Sequence, residues 1–142
     1  MSKASQTGAR SRARELIVQT LYQRQISGHD VVELLRQFHD RPDYERVDQS
    51  YYDEVLRAIC ESTEALEEGI GTVADRPLSQ LDPVERGILL LGYYELQSMP
   101  DVPYKVVINE SVNLAKRFGA VGGHKYINAL LDRAVKELRP EG

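Results

Sequence analysis

Apolar residues recur at spacings of three and four along most of the chain, the period of a helix with one buried face. Ala13, Leu16, Ile17, Thr20 and Leu21 form the first such stripe, closed by Ser27-Gly28. Asp30 is placed to cap a second helix carrying Val31, Leu34, Leu35 and Phe38. "DRPDYERVD" at 40–48 reads as a loop. Asp48 then caps a long third helix with Tyr51, Tyr52, Val55, Leu56, Ile59, Cys60, Thr63 and Leu66 on one side. "EEGIGTVADRP" is expected to break or weaken it, because glycine is costly inside helices and Pro77 cannot continue one. The clearest boundary is "LDPVERG", with Asp82 as N-cap, Pro83 at the first helical position and Glu85 three residues after the cap. That helix runs to about Ser98. The next opens near Pro103 and stops at Gly119. Gly122-Gly123 allows a tight turn, and the last helix runs from about His124 to Leu138. No stretch sustains period-two alternation between turn signals, so strands are not predicted. The expected fold class is all-α, with about seven helices in two packed helical subdomains at 9–76 and 77–140. A flexible tail is expected over 1–8.

Composition supports an ordinary globular chain, with 42% hydrophobic and 28% charged residues. The most apolar run, "GILLLGYY" at 87–94, is too short to span a bilayer and predicts a buried helix segment. The first residues lack the apolar core of a secretory signal, and Cys60 is the single cysteine, which fits a reducing cytoplasm. The net charge of −4 hides a segregation. Residues 1–14 hold Lys3, Arg10, Arg12 and Arg14 and no acid. Residues 15–102 hold 18 acidic and 7 basic side chains, and residues 103–142 hold 4 acidic and 7 basic. Basic ends around an acidic middle can present a cationic surface to an anionic partner if the ends meet in space; solvated surface is the bland alternative.

Candidate enzymatic chemistry is thin. "GIGTVA" at 69–74 matches G-x-G-x-x-A, but a charged helix end precedes it where a dinucleotide fold needs a buried strand. "GAVGGHK" at 119–125 lacks the closing Gly-Lys-Ser/Thr of a phosphate loop. His29, His39 and His124 are far apart and have no Cys or i,i+4 partner, so no metal site is expected. Cys60 on an apolar face reads as a small core residue. The expectation is a non-enzymatic protein without cofactor or metal.

Two helices near the C-terminus pair a clean core stripe with a basic, amide-rich face. One presents Asn109, Glu110, Asn113, Lys116 and Arg117 outward, the other Lys125, Asn128, Ala129, Asp132 and Lys136. Cations beside amides can contact phosphates and base edges; an ordinary solvated face is the alternative. Arg10, Arg12 and Arg14 are expected as a basic collar around the start of the first helix. Cations there cost roughly 0.3–1 kcal/mol each against the helix dipole, and an anionic ligand would offset that cost. By angle, Arg10 and Arg14 lie near one edge of the apolar stripe and Arg12 opposite it. Tyr22, Tyr104 and Tyr126 are candidates to stack on bases where exposed.

"ARSRARELIVQTLYQ", "LDPVERGILLLGYYEL" and "DVPYKVVINESVNLAKRFG" followed by "HKYINALLD" together resemble the NusB antitermination factors, from about Ala9 to Pro140. The resemblance implies an all-helical fold of two subdomains. It also implies binding of box A RNA of ribosomal RNA leader transcripts together with NusE, a small-subunit ribosomal protein. The resulting assembly joins other Nus factors and RNA polymerase. By match to the family's arginine-rich start, the implied RNA contacts are Arg10, Arg12 and Arg14, with Ser11 interrupting the run. The C-terminal helices would add Lys116, Arg117 and Lys125. Glu85 in the acidic middle is the implied contact for basic NusE. Some members of the family form homodimers that cover the RNA surface. Two other readings differ in class. One is a helical protein-binding module without RNA. The other is a fragment of a ribosomal RNA methyltransferase, whose methyl-donor domain 142 residues leave no room for.

Overall fold

The aspartates that mark helix starts in the sequence act as caps. The Asp30 carboxylate accepts the Glu33 N–H at 3.0 Å, and Asp48 accepts that of Tyr51 at 3.2 Å. Asp82 accepts both the Val84 and Glu85 N–H groups, at 2.8 and 3.4 Å. Each cap satisfies backbone donors left without an intrahelical partner. The computed structural model describes residues 3–141, with side chains from residue 8 onward. Among these it contains seven α-helices and no strand, so the fold is all-α. The helices are α1 (Lys3–Ser27), α2 (Val31–His39), α3 (Gln49–Glu61), α4 (Thr63–Val73), α5 (Pro83–Ser98), α6 (Tyr104–Phe118) and α7 (Gly123–Leu138). Short 3₁₀ turns occupy Pro42–Arg46 and Leu78–Gln80.

Three boundaries differ from those expected. Helix α1 begins at Lys3, so Arg10, Arg12 and Arg14 lie well inside it. Their backbone N–H groups belong to the helix ladder and are not free for an anion, and the expected collar at a helix start does not form. Residues 3–12 lack an apolar stripe and include Gly8 and Thr7; alanine and arginine favour the helix, and the Ala9 carbonyl is held by the Asp48 N–H. Of the tail expected at 1–8, Met1 and Ser2 lie outside the described residues, and Lys3–Thr7 are described by their helical backbone alone. The third helix breaks at Ser62, which makes no side-chain cap, while "EEGIG" continues inside α4. The chain accordingly divides into two compact units between Glu61 and Ser62, where the sequence suggested a division after Arg76.

In the first unit α1 packs on α3, and α2 packs on both. Leu16, Ile17, Leu21, Leu34, Leu35, Tyr52, Leu56 and Ile59 are buried between them. Each such aliphatic side chain contributes about 1.5–3 kcal/mol relative to exposure. The buried hydroxyls of Thr20 and Tyr52 share a hydrogen bond of 2.7 Å.

In the second unit α5 is the central element and contacts α4, α6 and α7. Every residue from Gly87 to Tyr93 is buried, as the apolar run predicts. Gly69 explains a glycine inside α4: a Cβ there would fall on the ring of Tyr93, which is itself buried. The two helices approach through the missing side chain. At the other end of α5, the Arg139 guanidinium donates to four backbone carbonyls, those of Leu96, Glu95, Met99 and Val102, at 2.6–3.0 Å. Glu95 and Leu96 lie in the last turn of α5 and Met99 and Val102 just beyond it. The Glu95 and Met99 carbonyls also accept the Met99 and Val102 N–H groups, so Arg139 adds a charged donor to the segment that leaves the helix.

Candidate nucleic-acid interface

Three arginines on one helix stand in three different environments. Arg12 is exposed. Arg10 is 39% exposed, pairs with Asp48 at 3.4 Å and lies 4.8 Å from the centre of the Tyr51 ring. The same segment is tied to α1 by the Asp48 N–H, which donates to the Ala9 carbonyl at 2.9 Å. Arg14 is only 3% exposed, with its guanidinium 5.4 Å from the Tyr51 ring. The sequence suggested Arg14 as an RNA contact; its burial puts it out of reach of an external phosphate. It follows the apolar stripe inward, and its long stem packs with the core. Arg12 and the outer part of Arg10 remain as the cationic surface of this helix.

On the second unit Lys116 and Arg117 are exposed on the last turn of α6, and the Arg117 guanidinium sits 5.2 Å from the Phe118 ring. Lys125 is exposed near the start of α7. It lines a groove of about 620 Å³ between α6 and α7, whose floor includes Ile108 and Val112. Lys105, Asn109 and Asn128 also line it.

Glu85, the expected partner contact, is 8% exposed and turned inward. Its carboxylate abuts Gly123, where an added Cβ would lie 2.8 Å from Oε2. Gly122 adopts φ +83°, a left-handed conformation that favours glycine, and α7 starts after it without a side-chain cap. Glu85 therefore brings negative charge from α5 to the positive end of the α7 dipole. Its sequence position, three after the Asp82 cap, signals a helix start and gives no sign of this second role.

Of the three candidate stacking residues, Tyr22 is 41% exposed. Tyr104 is half-buried and lines the α6–α7 groove. Tyr126 is half-buried, with the Arg76 guanidinium 4.2 Å from its ring centre. Burial and the nearby Asp75 charge push its phenol up. Arg76 carried no sequence signal, because it sits in a loop whose path the local pattern does not specify. Nor did the cluster that fixes the 40–48 segment. There Asp53 accepts from the Tyr44 hydroxyl at 2.9 Å and meets His39 Nε2 at 2.9 Å, while the His39 and Tyr44 rings stack at 4.4 Å. Burial, then the Asp53 hydrogen bond, push the Tyr44 phenol up to about 12.

"GIGTVA" lies largely within helix α4 and has no strand before it, the wrong frame for a dinucleotide site. Burial pushes the Cys60 thiol up, opposite to what a nucleophile needs. Among the described residues no three His, Cys, Asp or Glu side chains are grouped to hold a metal.

Residues 11–136 match the NusB family model. The chain belongs to the NusB family. Among similar proteins, the NusB of Paraburkholderia phymatum is 44% identical over 92% of this chain and 90% of its own length. That of Nitrosococcus oceani is 42% identical over 92% and 87%. Both are named transcription antitermination protein NusB. The solved structure of T. maritima NusB superposes with a TM-score of 0.81 at 29% identity, covering 92% of this chain and 94% of that one. The NusB match thus spans both compact units, including the second-unit helices that carry Lys116, Arg117 and Lys125.

Proposed function

We propose that this chain is a non-enzymatic transcription antitermination factor of the cytoplasm that binds box A RNA of ribosomal RNA leader transcripts together with NusE. The observation that carries the reading is identity of 42–44%, over about nine tenths of both chains, to proteins named for antitermination. Through NusE and RNA the chain would join other Nus factors and RNA polymerase. Among the described residues no helix is long and apolar enough to cross a membrane.

In this reading Arg12 and Arg10 meet RNA phosphates from α1, and Lys116, Arg117 and Lys125 meet them from the second unit. Arg14 acts as a positioning residue that seats α1 against Tyr51. NusE, a basic protein, docks on the acidic middle of the chain. Glu85 contributes there by holding the start of α7, since its own surface is small.

The test is binding of a box A oligonucleotide with and without NusE at two salt concentrations. Weak binding alone and tighter binding with NusE are expected. Arg10→Ala with Arg12→Ala should weaken RNA binding and leave helicity and NusE binding near normal. Unchanged RNA affinity in that double variant would remove these residues from the interface. NusE binding without any RNA binding would favour the protein-binding module instead. Sedimentation of the free protein reports whether a homodimer covers the surface.

A further inference from the structure

The α6–α7 groove does not have the composition of a simple phosphate site. Lys105 and Lys125 are exposed on its two sides, one from each helix. Between them lie Asn109 of α6 and Asn128 of α7, and Asp132 completes the lining on α7. A carboxylate in a phosphate site would repel its ligand. Beside two amides it is instead an acceptor for a ring N–H or amino group. Each amide offers a donor and an acceptor, the pattern that addresses base edges. Ile108 and Val112 supply an apolar floor, and the Tyr104 and His124 rings are available for stacking. Among the described residues, none of Lys105, Asn109, Lys125, Asn128 and Asp132 makes a side-chain hydrogen bond or ion pair within the chain, so their bonding capacity faces the groove and solvent. The volume of about 620 Å³ lies in the range of small-molecule sites and exceeds what a phosphate group alone needs.

We propose that the groove between α6 and α7 is a reading site for one unstacked nucleobase of a single-stranded RNA. Asn109, Asn128 and Asp132 address the base edge, and Lys105 and Lys125 hold the flanking phosphates. This rests on the RNA-binding reading above and adds to it a sequence-reading element in the second unit. Asp132, an acceptor only, favours a base that presents an exocyclic amino donor there, as guanine, adenine and cytosine do. Uracil presents only its ring imino group. Asp132 is exposed in the free chain; the site discriminates because a base seated there without a donor displaces water from the carboxylate and offers no hydrogen bond in return.

The experiment uses the full chain with NusE and a box A oligonucleotide, with single abasic replacements at each position in turn. Wild type should show one abasic position whose loss exceeds the others, about tenfold. The Asn109→Leu, Asn128→Leu double variant should lose a similar factor on the intact strand and be insensitive to that one abasic position. Its salt dependence should stay that of wild type, whereas Lys125→Ala should flatten the log–log slope by about 0.7. Both asparagines are exposed and leucine is a good helix former, so the double variant keeps its helicity. Equal losses for the variant on every abasic strand, or no loss at all, overturn the base-reading site. In that case the function proposed above stands, provided wild type still binds the strand. Wild type that binds no box A strand, with or without NusE, overturns both. An acidic peptide as the true occupant would appear as loss of a polyglutamate contact in the asparagine variant with RNA affinity intact, and that also overturns the proposal.

Discussion

Arg12 and Arg14 differ by two positions and by almost everything else. Arg14 is nearly buried against Tyr51, while Arg12 projects into solvent. Arg14→Ala should cost about 1–3 kcal/mol of stability through lost packing and lost cation–π contact. Arg12→Ala should stay within about 0.5 kcal/mol. Urea unfolding of the two variants checks this, and equal midpoints would refute the distinction. Tyr44 makes a second prediction. Its phenol is held up to about 12, against an ordinary value of 10.0, first by burial and then by Asp53. The folded chain thus favours the neutral phenol. The stability it lends is complete below pH 10 and is lost as pH rises through about 12. Burial also pushes Tyr52, Tyr93 and Tyr126 up, so alkaline absorbance titration should show one fewer late-ionising tyrosine in Tyr44→Phe than in wild type; the same late amplitude in both would contradict the assignment.

At the level of elements, helix α4 tests whether a glycine is tolerated or required. Gly71 has open space around its Cβ position, whereas that of Gly69 falls on the Tyr93 ring. Gly71→Ala should stabilise by up to about 1 kcal/mol. Gly69→Ala should destabilise by about 1–3 kcal/mol despite the same gain in propensity. Thermal melts of the pair read opposite signs; the same sign for both would remove the close-approach argument. The caps Asp30, Asp48 and Asp82 were legible in sequence because capping is local, a carboxylate and the next few N–H groups. The buried faces were legible for the same reason, since one helix turn places its own stripe. The start of α1 was not, because no apolar stripe marks these residues and their ties to Asp48 and Tyr51 come from another part of the chain. The break at Ser62 was not, because no proline, glycine or side-chain cap marks it, and the inward turn of Glu85 was not, because it depends on what α7 presents. Among the RNA candidates, angle alone separated Arg12 from Arg10 and Arg14; only packing showed that Arg14 is closed off.

For the molecule as a whole, charge segregation matters more than net charge. An acidic chain that binds RNA must do so through a minority of its cations, so affinity should depend steeply on salt. The five cations assigned to phosphates on a single strand give a log–log slope of about −3.5, a loss on the order of a hundredfold between about 50 and 200 mM salt. A flat salt response would mean that the cations on α1, α6 and α7 are bystanders. The two units also differ in where along the chain their contacts close. Helices α1, α2 and α3 find one another within the first 61 residues. The carbonyls at the end of α5 wait for Arg139, which follows α7. Arg139→Ala should cost the second unit about 2–4 kcal/mol by leaving these acceptors without their charged donor. The sequence order sets a schedule on the ribosome. The helix bearing Arg10 and Arg12 can be seated on its neighbours early in synthesis, while the α5 clasp cannot shut until Arg139 has been made. A chain stalled before that residue would hold its first unit's contacts but leave the second unclasped.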